Sequence, residues 1–232
     1  MTPSILITGA SRGIGLEMAR QYLADGWRVY ACCRLPDQAA ELAAQARTSQ
    51  GRLSVHALDV ADARSIAALK DELGGQPLDI LLNNAGIYGP DMQRFGSVRE
   101  DDWLEVLRVD TIAPLMIAQA LVDNVAASHK RLIANVSSKM GSMDDNRSGG
   151  CYIYRSAKAG LNAVTKSLAI DLAPRGITAI ALHPGWVLTD MGGPEAEITP
   201  AQSVTALRGI MARVTPCEAG AFFDVDGSII PW

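Results

Sequence analysis

Histidine and cysteine are scarce in this chain, three of one and four of the other, and neither is grouped as a metal site requires. His56, His129 and His183 stand far apart, no C-x-x-C pair occurs, and no His/Cys/Asp cluster has ligand spacing, so no metal is expected. Cys32 and Cys33 are neighbours that a strand would send to opposite faces. With Cys151 and Cys217 they read as free thiols of a reducing compartment, which makes the cytoplasm the expected location.

Long apolar runs are missing too. None approaches the roughly 20 residues that a bilayer crossing takes. The first apolar residues lead straight into a glycine-rich turn, without the charged and apolar segments of an export signal. Basic residues do not exceed acidic ones: 21 stand against 25, for a net charge of -4. No Lys/Arg run marks a surface for nucleic acid or membrane, and neither partner is expected. No repeat, low-complexity segment or Pro/Gly/Ser linker divides the chain, so residues 1–232 are expected to form a single domain.

What the sequence does contain is an alternation of short apolar strands with helical stretches. Strands are expected at 4–7, 28–32, 53–58, 80–83, 131–136, 177–182 and 220–225, and helices at 15–25, 37–50, 61–73, 99–127, 152–173 and 200–211. This order predicts an α/β fold: a single Rossmann-like, doubly wound parallel sheet of about seven strands with helices on both faces. Ligands of such sheets bind beyond the carboxyl ends of the strands. The irregular stretches 87–96, 139–150 and 186–200 each follow a strand and should gather at that edge to form a substrate site.

The turn Gly9-Ala10-Ser11-Arg12-Gly13-Ile14-Gly15 sits between the first strand and the first helix. Such a turn also serves simply to pack a helix on a sheet. Between strand and helix, however, its glycines permit close backbone approach to a pyrophosphate lying on the positive end of the helix. The second strand ends in Cys32-Cys33-Arg34, where NAD-binding chains carry a carboxylate for the ribose hydroxyl. An arginine there suits a 2'-phosphate, and Arg12 can approach the same group. Charge-assisted hydrogen bonds contribute about 1.5–3 kcal/mol each, so NADP(H) is the expected cofactor. The alternative is that Arg34 is a solvated strand end and nearby Asp37 supplies a carboxylate. Asp59-Val60 and Asn84-Ala85-Gly86, after the third and fourth strands, are small and polar enough to line the same pocket, although strand-terminal turns favour such residues anyway.

Tyr154 and Lys158 share one face of a predicted helix at i, i+4 spacing. A free tyrosine titrates near pH 10, so acid/base work near neutrality asks for a depression of up to about three units, which an adjacent ammonium favours. Ser138, at the end of the fifth strand, can hydrogen-bond a substrate oxygen. Serine is equally a common turn former there.

The glycine turn, Asn83-Asn84-Ala85-Gly86, the Ser137-Ser138 strand end, Tyr-x-x-x-Lys and Pro184-Gly185 occur in the order of the short-chain dehydrogenase/reductase family, which the whole chain resembles. The segment 183–193 and the ending 222–232 are similar to the C-factor and Sniffer-type carbonyl reductase branch. The resemblance implies hydride transfer between a nicotinamide and a carbonyl or alcohol carbon. In that scheme Tyr154 gives or takes the proton, Ser138 orients the oxygen, and Lys158 holds the nicotinamide ribose and lowers the tyrosine pKa. It also implies contacts of Val187 and Thr189 with the carboxamide and phosphates, and a homodimer or homotetramer. Tyr152 is a decoy, since four residues on it meets Ser156. The family usually has Asn where Asp110 stands here, and Asp110 is carried as a candidate catalytic position whose negative charge should raise the Lys158 pKa. The stretch from Ser138 to Tyr154 is longer than usual, placing Met140, Met143 and Asp144 near the substrate. A different class of function, an NADP-binding redox sensor or signalling protein without obligatory turnover, is also compatible with the C-factor likeness.

Overall fold

Alternate residues of the first strand enter different layers. Ile5 and Ile7 pack on one face of a sheet with residues of two helices near the N-terminus and one near the C-terminus, while Leu6 packs on the other. Burial on both faces is what a central parallel strand requires, and it explains the near-continuous apolar runs in the sequence. The computed structural model describes residues 2–232.

In chain order the elements are β1 (Ser4–Thr8), α1 (Gly13–Ala24), β2 (Arg28–Cys33), α2 (Ala40–Thr48), β3 (Leu53–Ala57), α3 (Ala63–Leu73), β4 (Ile80–Asn83), α4 (Glu100–Leu107), α5 (Ala113–Ala126), β5 (Leu132–Val136), α6 (Tyr152–Asp171), β6 (Thr178–Leu182), α7 (Pro200–Arg213) and β7 (Phe222–Phe223). All seven strands run parallel in the order β3-β2-β1-β4-β5-β6-β7. One core layer joins the sheet to α1, α2 and α7 through Leu16, Leu42 and Leu207; the other joins it to α3, α5 and α6 through Leu69, Ile117 and Leu168. Cys33 enters the first layer and Cys32 the second, as alternation along a strand demands. The chain changes direction across the sheet between β1 and β4, and a crevice opens at their carboxyl ends.

Two elements depart from the expected boundaries in ways that matter. The stretch expected as one helix over 99–127 divides into α4 and α5, joined by a wider turn at Arg108–Ile112 with i to i+5 bonding. Pro114 accounts for it: proline lacks an N–H, and in a regular helix its ring would press on the carbonyl four residues back, that of Asp110. The strand expected over 220–225 shrinks to two residues. Gly220 has φ +79°, and Asp224 turns back to bond Ser228, with Asp224 N donating to Ser228 O at 2.8 Å.

Candidate active site

The crevice is a cleft of about 580 Å³ running from the glycine turn to Tyr154 and Lys158. Its floor explains the glycines. Gly9 has φ +67°, and a Cβ there would stand 2.9 Å from the Ala85 Cα. A Cβ on Gly15 would collide with the Gly9 carbonyl oxygen and come within 2.6 Å of Asn84 Nδ2. No side chain caps α1, so its first N–H groups and its positive end remain for an anion. Ser11, Arg12, Gly13 and Ile14 line the cleft here.

Arg34 is exposed at the cleft wall and has no ion-pair partner among the described residues. Arg12 also reaches the cleft, and its guanidinium meets Asp190 at 3.0 Å across the mouth. Asp37 lies in a short turn after β2, away from the lining. Asp59 and Val60 line the wall, the Asp59 carboxylate accepting the Ala61 N–H at 2.9 Å. Asn84 is largely a brace: its Nδ2 donates to Thr8 O at 2.9 Å, while the N–H groups of Asn84 and Ala85 both donate to Thr8 Oγ1 at 3.0 Å. This clasp locks the ends of β1 and β4 together and presents Ala85 and Gly86 to the cleft. Of the pair after Pro184-Gly185, Thr189 lines the cleft, whereas Val187 is buried in a bridge with Ile198.

At the inner end, α6 brings Tyr154 and Lys158 together, the ammonium 5.6 Å from the centre of the phenol ring. Lys158 Nζ donates to Val136 O at 3.0 Å and lies 3.1 Å from Asp110 Oδ2. Asp110 comes from the wide turn before α5. It is wholly buried, and its Oδ1 accepts the Ile87 N–H at 2.9 Å. Asp110 and Lys158 thus form a direct, buried ion pair. Gly86 leaves room for it, since a Cβ there would come within 3.3 Å of Asp110 Oδ2 and 3.4 Å of Lys158 Nζ. Ser138, buried after β5, lies beside the Tyr154 hydroxyl. The helix itself seats tightly: a Cβ on Gly141 would stand 2.7 Å from the Lys158 carbonyl carbon. Ser137 donates to Asn162 Oδ1 at 2.6 Å and Thr111 to Ala157 O at 2.7 Å, tying α6 to β5 and to the wide turn.

Burial dominates the electrostatics. It raises the Tyr154 pKa above the ordinary tyrosine value, outweighing the lowering by Lys158; Asp110 adds to the rise and Ser138 opposes it. The depression toward neutrality expected from Lys158 alone is thus not the net result. Burial works against the charge on Lys158, but the pull of Asp110 and Tyr154 prevails and the ammonium holds its proton more firmly than usual.

Three residues around the site were not among the expected candidates. Gln93 is buried, and its Oε1 accepts the Tyr154 N–H at 2.9 Å while its Nε2 donates to Tyr88 O at 2.8 Å and Pro90 O at 3.0 Å. It caps the helix that carries the tyrosine. The Tyr88 ring stands 4.8 Å from that of Tyr154, and its hydroxyl meets Cys151 Sγ at 3.2 Å. Glu105 lines the cleft from α4. Gln93 and Tyr88 sit in an irregular loop with no periodicity, so nothing in their spacing marks them. The loop after Ser138 leaves Met143 exposed and is pinned to the C-terminal residues, Met143 N donating to Trp232 O at 2.6 Å and Ser142 Oγ to Pro231 O at 2.6 Å. Among the described residues no group of His, Cys, Asp and Glu is placed to hold a metal, and no helix is long and apolar enough to cross a membrane.

The model of the short chain dehydrogenase family matches residues 3–198. The chain is 38% identical to C-signal of Myxococcus xanthus over 156 residues, covering 67% of this chain and 93% of that protein. Among solved structures, the carbonyl reductase Sniffer of D. melanogaster superposes with a TM-score of 0.93 at 32% identity, over 100% of both chains. The NADPH-bound carbonyl reductase from chicken fatty liver superposes with a TM-score of 0.90 at 32% identity, covering 100% of this chain and 99% of its own. A family match over most of the chain and full-length structural likeness agree with the glycine turn and the Tyr154–Lys158 pair: the chain belongs to the short-chain dehydrogenase/reductase family of oxidoreductases.

Proposed function

We propose that the protein is an NADPH-dependent reductase of aldehydes and ketones, working reversibly on the corresponding alcohols, with Tyr154 as general acid and base. The observation that carries this reading is the pair Tyr154 and Lys158 at the inner end of a cleft whose outer end is the glycine turn before α1, with Ser138 beside the tyrosine. The residues fit the cofactor. Gly9 and Gly13 take positive φ, the missing side chains of Gly9 and Gly15 let the turn pack closely on Ala85 and Asn84, and the turn so formed lines the cleft where α1 begins. Arg34, exposed and unpaired, and Arg12 would hold the 2'-phosphate, and Lys158 the nicotinamide ribose. When bound, the cofactor supplies the hydride in reduction and takes it in oxidation.

The chain's own groups do the rest. Ser138 directs the carbonyl oxygen toward the Tyr154 hydroxyl, and Tyr154 passes its proton to that oxygen as charge develops. Tyr88, Leu188 and Met191 give the substrate side of the cleft an aromatic and aliphatic wall, which suits an apolar group beside the carbonyl. Residues 2–232 act in this reading as one domain. Leu104 of α4, Ile112 of the wide turn and Met116 of α5, all exposed, support association into a homodimer or homotetramer.

The test is titration with NADPH and NADH, followed by NADPH oxidation across a panel of aldehydes, ketones and diketones. Preferential NADPH binding and turnover that vanishes in Tyr154→Phe while binding persists are the expected results. The likeness to C-signal keeps a second reading alive, a cofactor-binding signal or redox sensor. Tight binding with no turnover on any carbonyl would favour it, and preference for NADH would remove the roles given to Arg12 and Arg34.

A further inference from the structure

A buried carboxylate stands directly beside Lys158. Asp110 Oδ1 accepts the Ile87 N–H and Oδ2 faces the Lys158 ammonium at 3.1 Å. Burial pushes the Asp110 pKa above the ordinary carboxylate value, and the Lys158 ammonium and the Ile87 N–H, both donors, oppose that rise and favour the ionised form. The turn that delivers it is the only part of the α4–α5 segment with i to i+5 bonding, and Gly86 is the residue whose missing side chain leaves space for the pair. Lys158 is thus held between Asp110 and the Val136 carbonyl, with its charge opposed within the protein.

The other groups around Tyr154 can be counted. Lys158 and Arg155 come from α6 itself; Tyr88, with the Cys151 thiol at its hydroxyl, comes from the segment after β4; Ser138 comes from the end of β5. Glu105 and Asp190 line the same cleft from α4 and from the loop after β6. Lys158 is the cation that favours the Tyr154 phenolate, and Asp110 is the carboxylate that opposes it. An ammonium near a phenol favours the phenolate, and a carboxylate paired to that ammonium cancels part of the effect.

We propose that Asp110 is a positioning residue which, by pairing with Lys158, offsets the ammonium at Tyr154 and adds to the effect of burial in favouring the phenol over the phenolate, biasing the site toward protonating a carbonyl oxygen rather than deprotonating an alcohol. The inference rests on the reductase reading above. In the reductive step the carbonyl carbon gains a hydride from the reduced nicotinamide cofactor, the oxygen gains the Tyr154 proton, and the resulting phenolate recovers a proton from solvent. Only the hydroxyl form of Tyr154 can give that proton. The kcat/KM for reduction therefore falls as pH rises through the tyrosine pKa, while that for oxidation rises. Removing the Asp110 charge lowers that pKa, so both limbs move to lower pH.

The experiment compares the parent protein with Asp110→Asn and, since an amide must present a donor to one of two donors, also with Asp110→Ser, whose shorter side chain leaves room for water. Two quantities are measured. The first is the tyrosinate ultraviolet absorbance against pH without cofactor, with the Tyr154 signal isolated by subtracting the matching Tyr154→Phe protein. The second is the pH profile of kcat/KM in each direction. A fall of about one pH unit or more in the Tyr154 midpoint and in the alkaline limb of reduction is expected for both variants. For a fall of one unit, one pH unit above the variant's midpoint is the parent's own midpoint, and the variant there has about five-fold less of the reactive hydroxyl form than the parent. Coincident absorbance titrations in folded variants would overturn the proposal, and so would turnover with superimposable pH profiles. Absence of turnover in the parent on every carbonyl would instead sink the reductase reading, and the absorbance titration would still decide the charge effect of Asp110.

Discussion

Replacing Gln93 with Ala tests whether a residue outside the family motifs holds the active-site helix in place. The side chain is buried and makes three hydrogen bonds, accepting from Tyr154 N at 2.9 Å and donating to the carbonyls of Tyr88 at 2.8 Å and Pro90 at 3.0 Å. Each is worth about 0.5–1.5 kcal/mol net, and a buried partner left unsatisfied costs about 1–3 kcal/mol more. Water entering the vacated space would recover part of this, so the expected destabilisation is about 3 kcal/mol. For a chain of this size that lowers Tm by about 10 °C. Urea unfolding should show a lower midpoint with an unchanged slope, the signature of lost stability rather than of an altered unfolded state. Because the cap sits on the N–H of Tyr154 itself, and Tyr88 packs on its ring at 4.8 Å, kcat should fall more than KM rises. A loss below about 1 kcal/mol, with kcat unchanged, would refute the claim that Gln93 seats the helix.

Other consequences are as direct. Arg34→Ala removes a cation at the cleft wall; NADPH binding should weaken roughly ten- to hundred-fold while NADH binding stays within about two-fold, as fluorescence titration with both cofactors would reveal. Gly141→Ala would place a Cβ 2.7 Å from the Lys158 carbonyl carbon and 3.0 Å from Ala159 N, rigid backbone that cannot yield locally. It should cost about 1–3 kcal/mol in denaturant unfolding and lower kcat by displacing α6. Among the thiols, Cys217 is exposed and Cys151 half-buried, whereas burial pushes the pKa of both Cys32 and Cys33 up. A thiol-labelling time course at neutral pH should modify Cys217 first and Cys151 more slowly, leaving Cys32 and Cys33 for unfolding.

The fold was readable because its strongest signals are local. A parallel strand buried on both faces is a short apolar run, and the alternation of such runs with helical stretches set strand number, sheet type and the edge at which ligands bind. The glycine turn was readable for the same reason: steric necessity at Gly9 and Gly15 concerns residues within one turn and its immediate neighbour across the sheet. Tyr154 and Lys158 are four residues apart on one helix, so their meeting is fixed by helical geometry alone.

What lay beyond reach depends on contacts between distant segments. Gln93 caps a helix that begins almost sixty residues later, from a loop with no period, and only the packed structure brings it there. The identity of Asp110 was visible, but its effect was not. A carboxylate near a lysine can act through water, by a direct pair, or not at all, and the wide turn forced ahead of Pro114 decides for the direct pair at 3.1 Å. That choice reverses a simple expectation. From spacing alone Lys158 should pull the tyrosine toward neutrality, whereas burial and the opposing carboxylate leave it above its ordinary value. A proline four residues downstream thus sets the turn, the turn sets the ion pair, and the ion pair sets how much of the lysine's charge the Tyr154 phenol experiences.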